Sequence, residues 1–203
     1  MSVALVVAGL AVVGLSGCAA LLLIPSAGTS SGSSGGSGGP APIQAYSDGS
    51  TSARNNISKA IGERAGEKNF DGTKRLDTFV VTRIVVDPVC VNAATPPANG
   101  HYLEVDMTVT STDAMGQAGA NASLDLSPAN WNYYPTGDDT GVVASSAGDD
   151  CQVAVPALTP VVGPSTTTTG SIVLDVNDDS RWIALVPYSN GPGWEWPYTA
   201  PAS

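Results

Sequence analysis

His101 is the single histidine of the 203-residue chain, and it limits the chemistry that the protein can perform. No metal site built on several histidines can form, and a Ser-His-Asp triad would have to use this one residue. His101 follows an Ala-Asn-Gly sequence at the start of a predicted strand, where an exposed polar side chain is the ordinary structural role. We therefore predict no catalytic residue, no metal site and no cofactor, and we do not expect an enzyme.

The acidic segment DVNDDSRW is the second place where a metal could bind. Asp175, Asn177 and Asp179 have the alternate spacing of a calcium-binding loop. Ser180, however, stands where such a loop needs glycine, and Val186 stands where it needs a bidentate glutamate. The segment is therefore predicted to be a turn between two strands.

Two tryptophans near the C terminus are the candidate ligand-facing aromatics. Trp194 and Trp196 lie on one side of the extended sequence GWEWPY, and Glu195 lies on the other side. At the edge of a domain such a pair could stack on a sugar ring or a peptide. In the alternative interpretation the same pair closes a hydrophobic core.

The N-terminal apolar segment, residues 3–24, contains no charged side chain. Val3–Gly14 can serve as the core of a signal peptide, and Leu15-Ser16-Gly17-Cys18 matches the lipobox of bacterial lipoproteins, whose cysteine is lipidated. In the alternative, residues 3–24 form an uncut transmembrane helix of roughly 33 Å. No basic residue precedes the run, and Ala19–Ile24 stays apolar, so the segment departs from a simple lipoprotein signal in two ways, but the lipobox remains the first interpretation. In both cases residues 1–24 attach the chain to a membrane, with the remainder outside the cytoplasm.

Cys90 and Cys151 remain as a pair if Cys18 carries a lipid. A bridge between residues 61 positions apart would stabilise the fold by about 4 kcal/mol in the chain-entropy model. Outside the cytoplasm such a bridge is chemically favoured. The alternative is two buried free thiols.

A flexible linker is predicted at residues 25–56. Its run SAGTSSGSSGGSGGPAP is composed of Ser and Gly and ends in Pro, so it cannot bury apolar surface. We expect this linker to hold the following domain away from the membrane.

The charge of the remaining chain is strongly negative. The formal net charge of the chain is −10 at pH 7. From residue 78 onward the sequence contains thirteen carboxylates and only two arginines. Such a surface repels phosphate groups, so we predict that the protein does not bind nucleic acid.

From Leu76 onward the sequence has the two-residue period of β-strands. Residues 78–86 are rich in β-branched side chains, and residues 102–110 alternate strictly between apolar and polar types. Further strands are predicted at 124–126, 131–134, 141–145, 151–155, 171–176, 181–188 and 193–198. Many short strands without a long helical pattern predict an all-β fold, an antiparallel β-sandwich at residues 57–199 followed by a tail at 200–203.

The order of several short motifs resembles one protein family. FVVTRIVVDPVC, NGHYLEVDMTVTST, LSPANW, a second cysteine, TGSIVLDV and GWEW follow one another as in Gram-positive, mainly actinobacterial, surface lipoproteins of unknown function. The domain of that family is similar to the telokin-like, immunoprotective extracellular immunoglobulin-like fold. Over residues 60–198 the resemblance implies an immunoglobulin-like sandwich with a Cys90–Cys151 disulfide. It implies no catalytic residue and no established ligand.

Three functional hypotheses follow from the sequence. The first is a membrane-tethered, non-enzymatic module at the cell surface that binds a protein or cell-envelope partner. The second is a structural or stress-related component of the cell envelope, and an envelope hydrolase is a distant third. A large exposed apolar patch would favour binding, whereas a polar cleft that converges on His101 would favour the hydrolase.

Overall fold

The computed structural model describes residues 44–46, 49–69, 71–92, 95–117, 120–188 and 191–199. Within these ranges the secondary structure consists of β-strands and one short 3-10 helix, Pro128–Asn130. The strands are β1 (Gln44–Tyr46), β2 (Ile57–Ser58), β3 (Arg64–Lys68), β4 (Asp77–Val86), β5 (Gly100–Ser111), β6 (Leu124–Asp125), β7 (Trp131–Pro135), β8 (Val142–Val143), β9 (Ser145–Ser146), β10 (Val161–Val162), β11 (Thr167–Asn177), β12 (Ser180–Leu185) and β13 (Trp194–Pro197).

These strands form two large sheets and one small one. The six-stranded sheet has the order β1-β3-β4-β5-β11-β9, and the five-stranded sheet has the order β2-β13-β12-β7-β8. Strands β10 and β6 form a two-stranded sheet. Neighbouring strands are antiparallel, except that β2 runs parallel to β13. The prediction of an all-β fold with an antiparallel β-sandwich is confirmed.

The centre of the six-stranded sheet is built from the three longest strands, β4, β5 and β11. In β5 the apolar members of the alternating sequence, Leu103, Val105, Met107 and Val109, are completely buried. This strand pairs with β11 over its whole length, with Val105 opposite Ile172. The strict alternation of residues 102–110 therefore predicted both the strand and its buried face, because successive side chains point to opposite sides of a sheet.

Aromatic side chains fill the core between the two large sheets. Phe79 meets Trp194 edge to face with ring centroids 5.0 Å apart, and Trp196 lies 6.3 Å from both Phe79 and Trp131. All four side chains are fully buried. Edge-to-face and tilted contacts of this kind add to the stabilisation that burial of the rings gives.

The predicted strand at residues 151–155 is wrong. Residues 151–160 instead form an irregular segment, called the strap below, which crosses the edge of the six-stranded sheet at Ser171. Pro156 and Pro160 lie in this segment, and a proline cannot donate a hydrogen bond to a neighbouring strand. Val153 and Val155 are both half-buried, as the alternation suggests, but they lie in an irregular segment and not in a strand.

The ordered domain begins before residue 57, where the linker was predicted to end. Strand β1 pairs with β3 through Gln44 opposite Lys68, so residues 44–46 belong to the six-stranded sheet. Residues 49–56 also contact the domain, since the Gly193 amide donates to the Asn56 side chain and Arg54 is hydrogen-bonded to Glu195. The predicted anchor at residues 1–24, with Cys18, and the tail at 200–203 lie outside the described residues. Across the described ranges, no helix is both long and apolar enough to cross a membrane.

Candidate functional site

A cleft of about 540 Å³ lies along the edge of β11. Strand β9 pairs only with Leu174 and Asp175, so the preceding part of β11 has no neighbouring strand on the side opposite β5. The strap occupies that position and forms the opposite wall of the cleft. Leu126 and Pro128, from the segment between β6 and β7, line a further side. A cavity of this volume is within the range of small-ligand sites, about 300–1,000 Å³.

Two sets of bonds hold the strap in place. At its beginning the Cys90–Cys151 disulfide joins it to the loop after β4, with the two Cα atoms 5.1 Å apart. The Val91 amide donates to the Gln152 carbonyl at 2.6 Å beside this bridge. Further along, Ser171 donates its amide to the Pro156 carbonyl at 2.9 Å. The segment between these attachments spans the opening, so the disulfide predicted from the sequence is a structural element of the cleft wall.

A glycine on β11 permits the close approach of the strap. A Cβ atom on Gly170 would lie 2.6 Å from the Pro156 carbonyl oxygen and 2.8 Å from the Leu158 nitrogen. Such distances are too short for any side chain, so residue 170 must be glycine if the strap is to pack against β11.

The cleft is apolar, with few polar groups. Its walls include Leu126, Val153, Leu158 and Ile172, and its polar members are Ser146, Asp149, Gln152 and Ser171. Neither serine lies beside a histidine or lysine among the residues that line the cleft. A serine without a base is a weak nucleophile, so this arrangement is suited to binding rather than to acyl transfer.

Charged side chains lie beside the β11 wall, on the outer face of the six-stranded sheet. Arg83 donates to Asp106 at 2.7 Å and to Glu104 at 3.0 Å, and these acids are opposite Ser171 and Val173 of β11. Burial raises the pKa of Glu104, and the neighbouring Asp106 raises it further. The hydrogen bond with Asp106 raises the pKa of Arg83. The cleft therefore borders a fixed ion cluster whose single cation is shared by two acids.

His101 does not belong to the cleft. Its Nδ1 atom lies 2.8 Å from Asp87 Oδ2, and its Nε2 atom lies 3.7 Å from Asp178 Oδ1. The imidazole is thus placed between two carboxylates at the end of β5. His101 is not among the residues that line the cleft.

The acidic turn does not form a calcium loop. Asp175 uses its two carboxylate oxygens to accept the amides of Ala98 at 2.8 Å and Asn99 at 3.0 Å. Asp179 lies in the turn between β11 and β12. In the described part of the chain, no three His, Cys, Asp or Glu side chains are grouped as metal ligands.

The assignment of Trp194 and Trp196 as ligand-facing aromatics is corrected by the structure. Both indoles are completely buried in the core, because inward-facing positions of β13 pack against Phe79 and Trp131. The core alternative is the arrangement that the structure shows.

A different tryptophan, Trp182, lies on the outer face of the five-stranded sheet. The Arg54 guanidinium lies over its indole at 4.2 Å from the ring centroid. Arg54 also donates two hydrogen bonds to the buried Glu195 carboxylate, and Asn56 joins Glu195 to the Tyr134 hydroxyl. Sequence reasoning missed Trp182, although Ile183 beside it indicates an inward position and therefore places Trp182 outward.

Comparison with known proteins adds little beyond the fold. No protein-family model matches the chain, and no curated protein matches it. Among solved structures, the chain is similar to a 1.5 Å crystal structure of MPT63, a secreted protein from Mycobacterium tuberculosis. The two sequences are 14% identical, the match covers 70% of this chain and 98% of MPT63, and the TM-score is 0.44.

Proposed function

We propose that this protein is a membrane-tethered, extracytoplasmic binding module without enzymatic activity, and that the cleft beside β11 is its ligand site. The observation that carries the proposal is the cleft itself, because a disulfide, a glycine and backbone hydrogen bonds combine to hold the strap that forms one of its walls. Ligand sites in proteins are typically preformed concave surfaces of this size, mostly apolar with a few polar groups.

The walls of the cleft indicate the class of ligand. Apolar side chains and prolines form most of its surface, and Asp149 is the charged residue among those that line it. The surrounding domain is strongly acidic. We therefore expect a neutral or cationic apolar ligand, such as a hydrophobic peptide segment, rather than an anionic one.

Exposed apolar residues extend this surface beyond the cleft. Val89 is 88% exposed and Val91 is 64% exposed, and they flank Cys90, whose disulfide partner lines the cleft. Large exposed apolar side chains next to a concave site are typical of interaction surfaces. This arrangement favours binding over the structural or stress-related role in the cell envelope.

The extracytoplasmic location is supported by two independent features. A disulfide that braces a domain persists in an oxidising compartment and is rare in the cytosol. The apolar residues 3–24 provide either a lipidated Cys18 or a membrane-spanning helix. Mass spectrometry of the N-terminal peptide from native membranes separates the two, since a diacylglyceryl-modified Cys18 supports the lipid anchor and an intact Met1 peptide supports the helix.

The binding proposal is tested with a soluble fragment, residues 38–203, which contains every described residue. The fragment and an Ala157→Trp variant are incubated with cell-envelope extract, and retained compounds are identified by mass spectrometry. Ala157 lines the cleft, so its replacement by tryptophan should reduce occupancy at least about tenfold, the effect of losing 1.4 kcal/mol of binding energy. Ala53, which is exposed and is not among the lining residues, provides the control substitution Ala53→Trp.

The outcome distinguishes the hypotheses. Retention by the wild type and by Ala53→Trp, with loss in Ala157→Trp, supports binding in the cleft. Equal retention by all three proteins, or none, contradicts it and leaves the structural role. Hydrolysis of envelope components that disappears in His101→Ala would restore the enzyme hypothesis.

A further inference from the structure

Two carboxyl groups, Glu67 and Asp77, lie inside the sandwich at one end of its core. Glu67 is on β3 and Asp77 begins β4, and both side chains are 0% exposed. They point inward because Glu67 shares a face of β3 with the buried Ala65, and Asp77 shares a face of β4 with Phe79. A buried acid is costly unless it is paired or neutral, so this pair requires a physical explanation.

Each carboxyl has one oxygen with a hydrogen-bond donor and one without. Glu67 Oε1 accepts the Tyr188 hydroxyl at 2.5 Å, and Asp77 Oδ1 accepts the Glu67 amide at 3.1 Å. Glu67 Oε2 and Asp77 Oδ2 are buried, and neither accepts a hydrogen bond from another group. The hydrogen bond from the Glu67 amide places the Asp77 carboxyl beside residue 67, so the two acids are neighbours in the interior. A single proton between them would satisfy both remaining oxygens, as in other carboxyl pairs that cannot both ionise.

Among the described residues of β3, β4 and β5, the basic side chains do not point into the interior toward this pair. Arg64 and Lys68 are on β3, but they lie on the face opposite to Glu67 by the alternation of the strand. Arg75 precedes β4 and is exposed. Opposite Asp77, β5 contributes the uncharged Ser111, and the segment after β12 contributes the Tyr188 phenol.

We propose that Glu67 and Asp77 share one proton and form a pH-sensitive contact that joins the β3–β4 hairpin to the segment after β12 through Tyr188. When one carboxyl is protonated, the pair carries a single charge and all its oxygens are satisfied. When both are ionised, two negative charges face each other in a low-dielectric interior and the hairpin separates from Tyr188. The contribution of this pair to stability is therefore largest in acid and is lost as the pH rises.

The direction of the pH effect follows from the raised pKa values of Glu67 and Asp77. Burial raises the pKa of Glu67 to about 8, with Asp77 as a second cause, and burial raises the pKa of Asp77 to about 7. Burial and the Glu67 charge also raise the pKa of Tyr188, so the phenol remains a donor. Since both acids have ordinary pKa values near 4 in the unfolded chain, the folded state holds protons that the unfolded state has lost. The stabilisation that the pair contributes is then complete below about pH 4, declines above that pH, and is lost once the pH has risen through 7 and 8.

The test is urea unfolding of the full chain in detergent micelles, followed by circular dichroism between pH 5.5 and 8.5. For the wild type we expect the unfolding constant to rise at least about tenfold for each pH unit between 5.5 and 7, the value for one retained proton, and up to about a hundredfold where both acids keep their protons. In Glu67→Gln, whose amide can donate to Asp77, most of this dependence should disappear. Asp113→Asn, at an exposed position, is the matched control and should keep the slope.

A spectroscopic readout covers the case in which Glu67→Gln does not fold. Infrared spectra of the wild type at pH 6 should show the carbonyl band of a protonated carboxylic acid, because exposed acids are ionised at that pH. The band should disappear with a midpoint between about pH 7 and 8. In Tyr188→Phe the midpoint should move to higher pH, because the Tyr188 hydrogen bond lowers the pKa of Glu67.

Three results would overturn the proposal. The first is an equal slope in the wild type and in Glu67→Gln. The second is the absence of the protonated-acid band at pH 6 in the folded protein. The third is selective recovery of stability at pH 8.5 on addition of calcium chloride, which would show that the pair binds a cation instead of a proton.

Discussion

The Arg54 guanidinium donates a hydrogen bond to each oxygen of the Glu195 carboxylate, from Nε to Oε2 at 2.9 Å and from Nη2 to Oε1 at 2.7 Å. The two residues are 141 positions apart in the sequence. The Glu195 side chain is completely buried and that of Arg54 is 13% exposed. Hydrogen bonding to Glu195 raises the pKa of Arg54, so its charge is permanent. The pair joins the segment before β2 to the C-terminal strand β13, which places the two ends of the domain side by side.

Removal of Arg54 should be strongly destabilising, because it leaves the Glu195 charge buried without a partner. We expect Arg54→Met to lower the free energy of unfolding by about 3–5 kcal/mol, measured by urea unfolding of fragment 38–203. Arg54→Met combined with Glu195→Leu should recover most of the loss, since no isolated charge remains. The exposed Arg64→Met is the matched control, and an equal effect of the two single substitutions would contradict the role of the pair.

The Cys90–Cys151 disulfide should contribute substantially to stability. It spans 61 residues, so its removal in Cys90→Ser/Cys151→Ser should cost about 4 kcal/mol. Urea unfolding of fragment 38–203 with and without dithiothreitol measures this difference. The double variant itself should not respond to the reductant. A wild-type midpoint that dithiothreitol leaves unchanged, under conditions where free thiols are detected, would contradict the prediction.

The approach of the strap to Gly170 can be tested with a single methyl group. Gly170→Ala should destabilise fragment 38–203 by about 1–3 kcal/mol, because the added Cβ displaces the strap from β11. Gly163→Ala is the matched control, since a Cβ there meets no atom within 4 Å. Thermal unfolding compares the two. If Gly170→Ala is no less stable than Gly163→Ala, the strap is not packed against β11 as described.

The tryptophans should differ in their access to solvent. Trp131, Trp194 and Trp196 are completely buried, whereas Trp182 is partly exposed under Arg54. We expect acrylamide to quench part of the fluorescence of fragment 38–203, and Trp182→Phe to remove most of that quenchable part. Trp194→Phe should leave the quenchable part in place while lowering stability, because it alters a packed core. Quenching that persists in Trp182→Phe would show that a second indole is accessible.

Most strands could be predicted from the sequence because a strand is indicated by the local alternation of apolar and polar side chains. In β5 the alternation of Leu103, Val105 and Met107 with polar residues specifies a half-buried strand without reference to any distant residue. The same rule failed at residues 151–155, where Val153 and Val155 alternate but the prolines that follow prevent regular pairing. At residues 54–69, Gly62 and Gly66 interrupt an ambiguous apolar spacing, which predicted only a short helical or irregular entry and an extended start near Ile61; the structure places strand β3 at Arg64–Lys68.

Glu195 shows why the roles of the charged residues could not be inferred in advance. On β13 it points away from the core, and an outward glutamate is ordinarily solvated. It is buried because residues 49–58 cover the outer face of the sheet and bring Arg54 to it. That segment belonged to the predicted linker, so its contribution depended on contacts across more than 130 residues.

The sequence by itself determined the strand-rich class and the inward face of the long strands. It also indicated that Cys90 pairs with Cys151. These features follow from backbone geometry, side-chain period and the chemistry of a cysteine pair. Only the tertiary structure decided that Trp194 and Trp196 are core residues, that the strap opens a cleft beside β11 and that Glu67 meets Asp77 in the interior. The reason is physical: burial and the partners of a charge are set by segments distant in sequence, and local residue patterns do not contain them.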